Sequence, residues 1–151
     1  MEMTRVTLAL AAALLGAVVA AADTPERQER DDARFKNLML SLGEREFTLH
    51  CAVCHGMDAN GGGPAASALR TAPADLTRIA ARRGGKFPDD EIAQKIDGRF
   101  EVTAHGSREM PVWGVHLATP IAEDATGAEV ARGRIDLLVE YLRSIQANGT
   151  K

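Results

Sequence analysis

Cysteine is scarce in this chain: two residues in 151, Cys51 and Cys54, three positions apart. That excludes a scaffold stapled by several disulfides and a zinc site built from four well-separated ligands. Aromatics are few as well, at 4% of the residues. They are Phe35, Phe47, Phe87, Phe100, Trp113 and Tyr141, a thin supply for a core of this size. Net charge is small, −3, which argues against nucleic acid as a partner and leaves any electrostatic guidance to local patches. No internal repeat is present, and 151 residues suit one domain.

The amino-terminal segment stands apart from that domain. Arg5 precedes an apolar run from Val6 to Ala22 that closes on Ala20-Ala21-Ala22, before the polar Asp23-Thr24-Pro25-Glu26. This is the layout of a secretory signal peptide over residues 1–22, with cleavage expected after Ala22. The periplasm, or an equivalent compartment, is then the expected location. A retained membrane anchor is the alternative, and the run of 17 residues is at the short end for a span.

Residues 51 to 55 read Cys-Ala-Val-Cys-His, the attachment signature of a c-type haem. The chemistry explains the spacing. On a helix Cys51 and Cys54 share a face, so both thiols can meet the two vinyl groups on one edge of a porphyrin. His55 follows at once and can place an imidazole nitrogen under the iron. Three other readings compete. A thioredoxin-like dithiol sits in a βαβ pattern, and no strand-rich run surrounds this one. A zinc site would crowd His50, Cys51, Cys54 and His55 into six residues. A short disulfide in a secreted protein is the third.

Along the chain, residues 23–34 are charged and read as a solvated leader. Phe35, Leu38, Met39 and Leu42 recur at helical spacing, with Gly43 interrupting or ending that helix. A second helical stretch, Glu44 to His50, runs into the motif, and Phe47 shares a face with Cys51. Four glycines between Gly56 and Pro64 exclude a stable helix there. No Lys-Ser/Thr pair follows, so a phosphate loop is not indicated; a loop fitting closely under a porphyrin edge is expected instead. A backbone carbonyl near Pro73 is placed to accept the second ring N–H of His55. The cluster Arg78, Arg82, Arg83 and Lys86 is a solvated face or a docking patch for an acidic partner. Pro88-Asp89-Asp90-Glu91 opens a helix that carries Ile92 and Ile96 and closes at Gly98. Arg99 and Arg108 are surface arginines or partners of a haem propionate.

Met110-Pro111-Val112-Trp113-Gly114 supplies the distal candidate. Met39 lies in an apolar stripe and reads as core. Met57 is two residues past His55, too near to reach the opposite face of a haem. Met110 lies in a stretch that Pro111 biases to extended backbone, and Met/His ligation raises the reduction potential. His105 and His116 are the rival ligands. A last helix, from about Thr126 to Ile145, buries Ile135, Leu138, Leu142 and Ile145.

With these motifs in place, the chain resembles the class I (mitochondrial-type) cytochromes c over most of residues 43–145. Gly43 and Phe47 stand eight and four residues before Cys51, as in that family's N-terminal helix. Leu138 and Tyr141-Leu142 look like the C-terminal helix that crosses it. Met110 to Gly114 looks like the distal methionine loop. The Gly-Gly-Gly-Pro loop and Pro73-Ala74-Asp75-Leu76 resemble bacterial members, including haem domains of oxidases and dehydrogenases. The resemblance implies an all-α domain over residues 43–147, wrapped around one covalently bound haem c, after a charged leader and extra helix at 23–42. It implies thioethers at Cys51 and Cys54, axial ligation by His55 and Met110, and pocket support from Pro73, Arg99 and Trp113. It also implies an exported mono-haem carrier of single electrons between redox partner proteins, with no small-molecule substrate, and not an enzyme. The alternatives are the haem subunit of a periplasmic dehydrogenase or oxidase complex, or a haem enzyme or gas sensor with a displaceable distal ligand. Residues 23–42 and 115–125 fall outside the compact family core on this reading.

Overall fold

The computed structural model describes residues 24–99, 110–119 and 126–147. The chain divides into two compact units, Met1–Leu38 and Met39–Lys151. Among the described residues there are five α-helices and no strand: α1 Pro25–His50, α2 Ala52–His55, α3 Asp89–Asp97, α4 Trp113–His116 and α5 Gly127–Ser144. Short 3₁₀ turns cover Ala66–Ala68, Leu76–Arg78 and Ala81–Arg83. The expected signal peptide and its cleavage site lie outside the described residues.

In the first unit the described residues, 24–38, are all exposed. They are helical from Pro25 onward. Phe35 and Leu38, expected in a buried stripe, are 64% and 52% exposed.

In the second unit α1 continues through Gly43 without a break, so the expected pair of helices is one helix. A mid-helix glycine costs about 1 kcal/mol relative to alanine. Packing is what makes glycine the fitting residue here. A side chain on Gly43 would run into the Leu137 carbonyl oxygen of α5 and the Tyr141 Cβ. Burial along α1 therefore centres on Gly43 and Phe47, while Met39 and Leu42 stay half-buried. The Phe47 and Tyr141 rings meet at 5.4 Å. Arg134 of α5 bonds Glu46 through two guanidinium nitrogens at 3.0 and 3.1 Å, the paired geometry that makes arginine–carboxylate contacts strong.

Helix α5 is the core's main wall. It buries Val130, Ala131, Ile135, Leu138, Val139 and Leu142, one apolar face at helical spacing. Its start is fixed by a reciprocal capping box: the Thr126 hydroxyl accepts the Glu129 N–H, and the Glu129 carboxylate accepts the Thr126 N–H. It packs against α3 and α4, which also touch each other. Helix α3 ends on Gly98 in the left-handed conformation, φ 68°. Leu117, just after α4, has no exposed surface, so this part of the 115–125 stretch belongs to the core. Residues 120–125 lie outside the described part.

Candidate functional site

The Cys-x-x-Cys-His segment is nearly continuous with α1. The Cys51 N–H donates to the Phe47 carbonyl at 2.8 Å, and the His55 N–H donates to Cys51 at 2.9 Å. Cys51 and Cys54 are thus one turn apart, both half-buried free thiols. Cys51 packs against the same core as Met110 and Trp113. Burial pushes the Cys51 thiol up to about 12, with the charges of Glu46 and Cys54 adding to the effect. A thiolate there is costly, whereas a neutral thioether suits the site.

The glycine loop explains why α2 stops after one turn. The Gly61 N–H donates to the His55 carbonyl at 2.8 Å, Gly63 to Cys54 at 3.1 Å and Ala65 to Val53 at 2.9 Å. The loop folds back and caps the carbonyls that α2 leaves unpaired. Gly63 sits so near that a Cβ would lie 2.6 Å from the Cys54 and Val53 carbonyl oxygens. The close approach expected toward a ligand is made, for Gly63, to the backbone of the motif itself.

The His55 ring is held from behind. Its Nδ1 lies 3.0 Å from the Ala74 carbonyl oxygen, which can only accept, so Nδ1 carries the proton and Nε2 keeps its lone pair. The carbonyl is therefore Ala74's, one residue beyond the expected Pro73. The Pro73 carbonyl instead rests against Gly61, where φ is +95° and a side chain would collide with it. The turn presenting Ala74 is braced on both sides. The Leu76 N–H donates to Ala59 at 2.8 Å. Asp75 accepts from the Thr77 hydroxyl and N–H at 2.6 and 2.9 Å, which holds its carboxyl below the usual range. Gln146, beyond α5, donates to the Leu76 carbonyl at 2.8 Å and accepts from the Ala80 N–H at 2.9 Å.

Met110 is half-buried against the core. Trp113, three residues on, meets His50 at 5.5 Å between ring centres and His116 at 5.7 Å. Arg99 reaches Asp97 through Nε and Nη2, each at 2.7 Å, and this pair lies over Gly114, where a side chain would strike Asp97 and Arg99. The Arg99–Asp97 pair thus packs against α4 at Gly114. His105 and Arg108 lie outside the described residues. In the basic cluster, Arg82 donates to the Asp75 carbonyl at 2.8 Å and Arg83 pairs with Glu91. Arg78, Arg82, Arg83 and Lys86 are all exposed.

Two thiols one turn apart, followed by an imidazole whose Nδ1 is already engaged, are consistent with the attachment motif of a covalently held haem. The cytochrome c family model matches residues 40–146 of the chain. The chain belongs to the cytochrome c family. Neither a curated protein nor a solved structure matches it. Cytochrome c domains bind haem c covalently and pass electrons to protein partners, and the all-α architecture agrees with that fold.

Sequence reasoning had no access to Ala74, because any residue can offer a carbonyl. It also missed the cluster His50, Glu46 and Arg134. The i,i+4 spacing of Glu46 and His50 was readable; the 88-residue reach to Arg134 was not.

Proposed function

We propose that this cytochrome c domain is an exported, class I type, mono-haem carrier of single electrons, with Cys51 and Cys54 as thioether donors and His55 and Met110 as axial ligands. The observation that carries the proposal is the Nδ1 of His55 held 3.0 Å from the Ala74 carbonyl. That bond fixes the tautomer, fixes the ring orientation and raises the basicity of Nε2 toward a metal. Haem c supplies the one-electron Fe(III)/Fe(II) couple. The chain's own residues anchor it, shield it and set its potential. Met110 is supported as the distal donor by its half-burial against the same core as Cys51. A thioether opposite an imidazole raises the potential and leaves no coordination site for a substrate. Export is supported by the apolar run closing on Ala20-Ala21-Ala22 before polar Asp23. Expected partners are redox proteins that donate and accept electrons.

The test is ligand access in the exported, haem-loaded protein. Reduced protein mixed with carbon monoxide should show no spectral change, and it should be reoxidised by a one-electron acceptor in a single phase. Ready carbon monoxide binding would contradict the carrier reading and support a haem enzyme or gas sensor.

A further inference from the structure

Gln146 follows the last turn of α5 and is half-buried. Its side-chain amide makes three hydrogen bonds. Nε2 donates to the Leu142 carbonyl at 2.6 Å, satisfying a carbonyl at the end of its own helix. Nε2 also donates to the Leu76 carbonyl at 2.8 Å, and Oε1 accepts the Ala80 N–H at 2.9 Å. Carbonyls only accept and a backbone N–H only donates, so the amide has one orientation that satisfies all three. The next residue adds a fourth tie: the Ala147 N–H donates to the Thr77 carbonyl at 2.8 Å.

These bonds land on the turn that faces His55. The Ala74 carbonyl lies 3.0 Å from His55 Nδ1, Arg82 donates to the Asp75 carbonyl at 2.8 Å, Gln146 takes the Leu76 carbonyl and Ala147 takes that of Thr77. The four consecutive carbonyls of residues 74–77 thus each have a partner, and the Ala74 oxygen cannot move far without straining the bonds beside it. Ala74 is exposed, so water competes for its carbonyl. The bond to His55 therefore depends on how firmly the turn is held. We propose that Gln146 is a positioning residue for His55. It ties the end of α5 to the 74–80 segment, so that the Ala74 carbonyl stays on Nδ1 and Nε2 remains a strong donor toward a metal. This rests on the proposal that His55 is the proximal ligand, and Gln146 acts only through it.

The test compares haem-loaded wild type with Gln146→Ala and Gln146→Glu, using Thr126→Ala as the control. Glutamate keeps an acceptor for the Ala80 N–H and loses the donor to Leu76. Thr126→Ala unties the opposite end of α5, where Thr126 bonds Glu129. Proton NMR of the reduced protein follows exchange of the His55 ring N–H with solvent, and potentiometry gives the reduction potential. We expect both Gln146 variants to exchange that proton about tenfold faster, as the loss of one or two hydrogen bonds to the turn implies. Both should also raise the potential, because a weaker imidazole donor stabilises oxidised iron less. Thr126→Ala should lose stability and leave both readouts unchanged. Gln146 variants in which either readout stays at its wild-type value, or a Thr126→Ala that moves both as far, would overturn the proposal and leave Gln146 a helix cap. If neither Gln146 variant folds, wild-type exchange in low denaturant decides: the His55 ring N–H should open together with the Ala80 and Ala147 amides, and independent openings would overturn the proposal. A wild-type protein that carries no covalent haem, shown by its spectrum beforehand, would overturn the functional reading and this proposal with it.

Discussion

The crossing of α1 and α5 at Gly43 makes a quantitative claim. An alanine there would meet the Leu137 carbonyl oxygen, the Tyr141 Cβ at 2.8 Å and the Leu137 carbonyl carbon at 3.0 Å. Two of these are backbone atoms that no rotamer change can move away. The cost belongs at the upper end of overpacking, about 3 kcal/mol. Replacing a mid-helix glycine recovers about 1 kcal/mol of helix propensity, so Gly43→Ala should lose about 2 kcal/mol. Gly133, in α5, is the internal control. Nothing lies within 4 Å of a Cβ placed there, and its residue is exposed. Gly133→Ala should gain about 1 kcal/mol from propensity alone. The two variants should therefore bracket the wild type with a spread of about 3 kcal/mol. Guanidinium unfolding of the haem-loaded proteins, followed by far-UV circular dichroism, measures this directly. Equal midpoints for Gly43→Ala and wild type would refute the crossing as described.

Met110→Ala should lower the reduction potential, on the order of 0.2 V, and open the iron to carbon monoxide; spectroelectrochemistry and ligand binding check both. If His116 or His105 were the ligand, that variant would change little. Cys51→Ser with Cys54→Ser should abolish covalent haem, read by intact mass, and leave the domain largely unfolded by circular dichroism, because the haem is much of its core. The Thr126 N–H and hydroxyl hold the Glu129 carboxyl below its usual value of 4.5. A carboxyl whose folded value is depressed contributes stability that is present above its unfolded value and is lost as pH falls through the folded value. Wild type should therefore lose stability on acidification from about pH 5.5 to 3, and Glu129→Gln should lose less over that range.

Much of this fold can be read from local signals. Pro88 to Glu91 and Gly98 mark the two ends of α3, and Ile135, Leu138 and Leu142 at helical spacing mark the buried face of α5. Thr126 and Glu129, three apart, carry the capping-box spacing that starts α5. The motif residues are legible because thioether and imidazole chemistry demands that spacing. Gly43 is where local reasoning fails: propensity reads it as a break, and only contact with α5 shows why the helix runs through it. Phe35 and Leu38 fail in the opposite direction, since periodicity identifies an apolar face without saying whether anything covers it. The support of His55 is half-legible. A proline-containing turn was expected behind the ring, but which carbonyl faces Nδ1 depends on Gly61, Ala59 and Gln146, whose contacts span the domain.

The most direct test of the account is the visible and near-infrared spectrum of the exported protein, oxidised and reduced. A c-type reduced spectrum, together with the weak near-red methionine-to-ferric-iron band that disappears in Met110→Ala, is the expected result. A c-type spectrum without that band would contradict the assignment of Met110, and a colourless protein would contradict the role given to Cys51, Cys54 and His55.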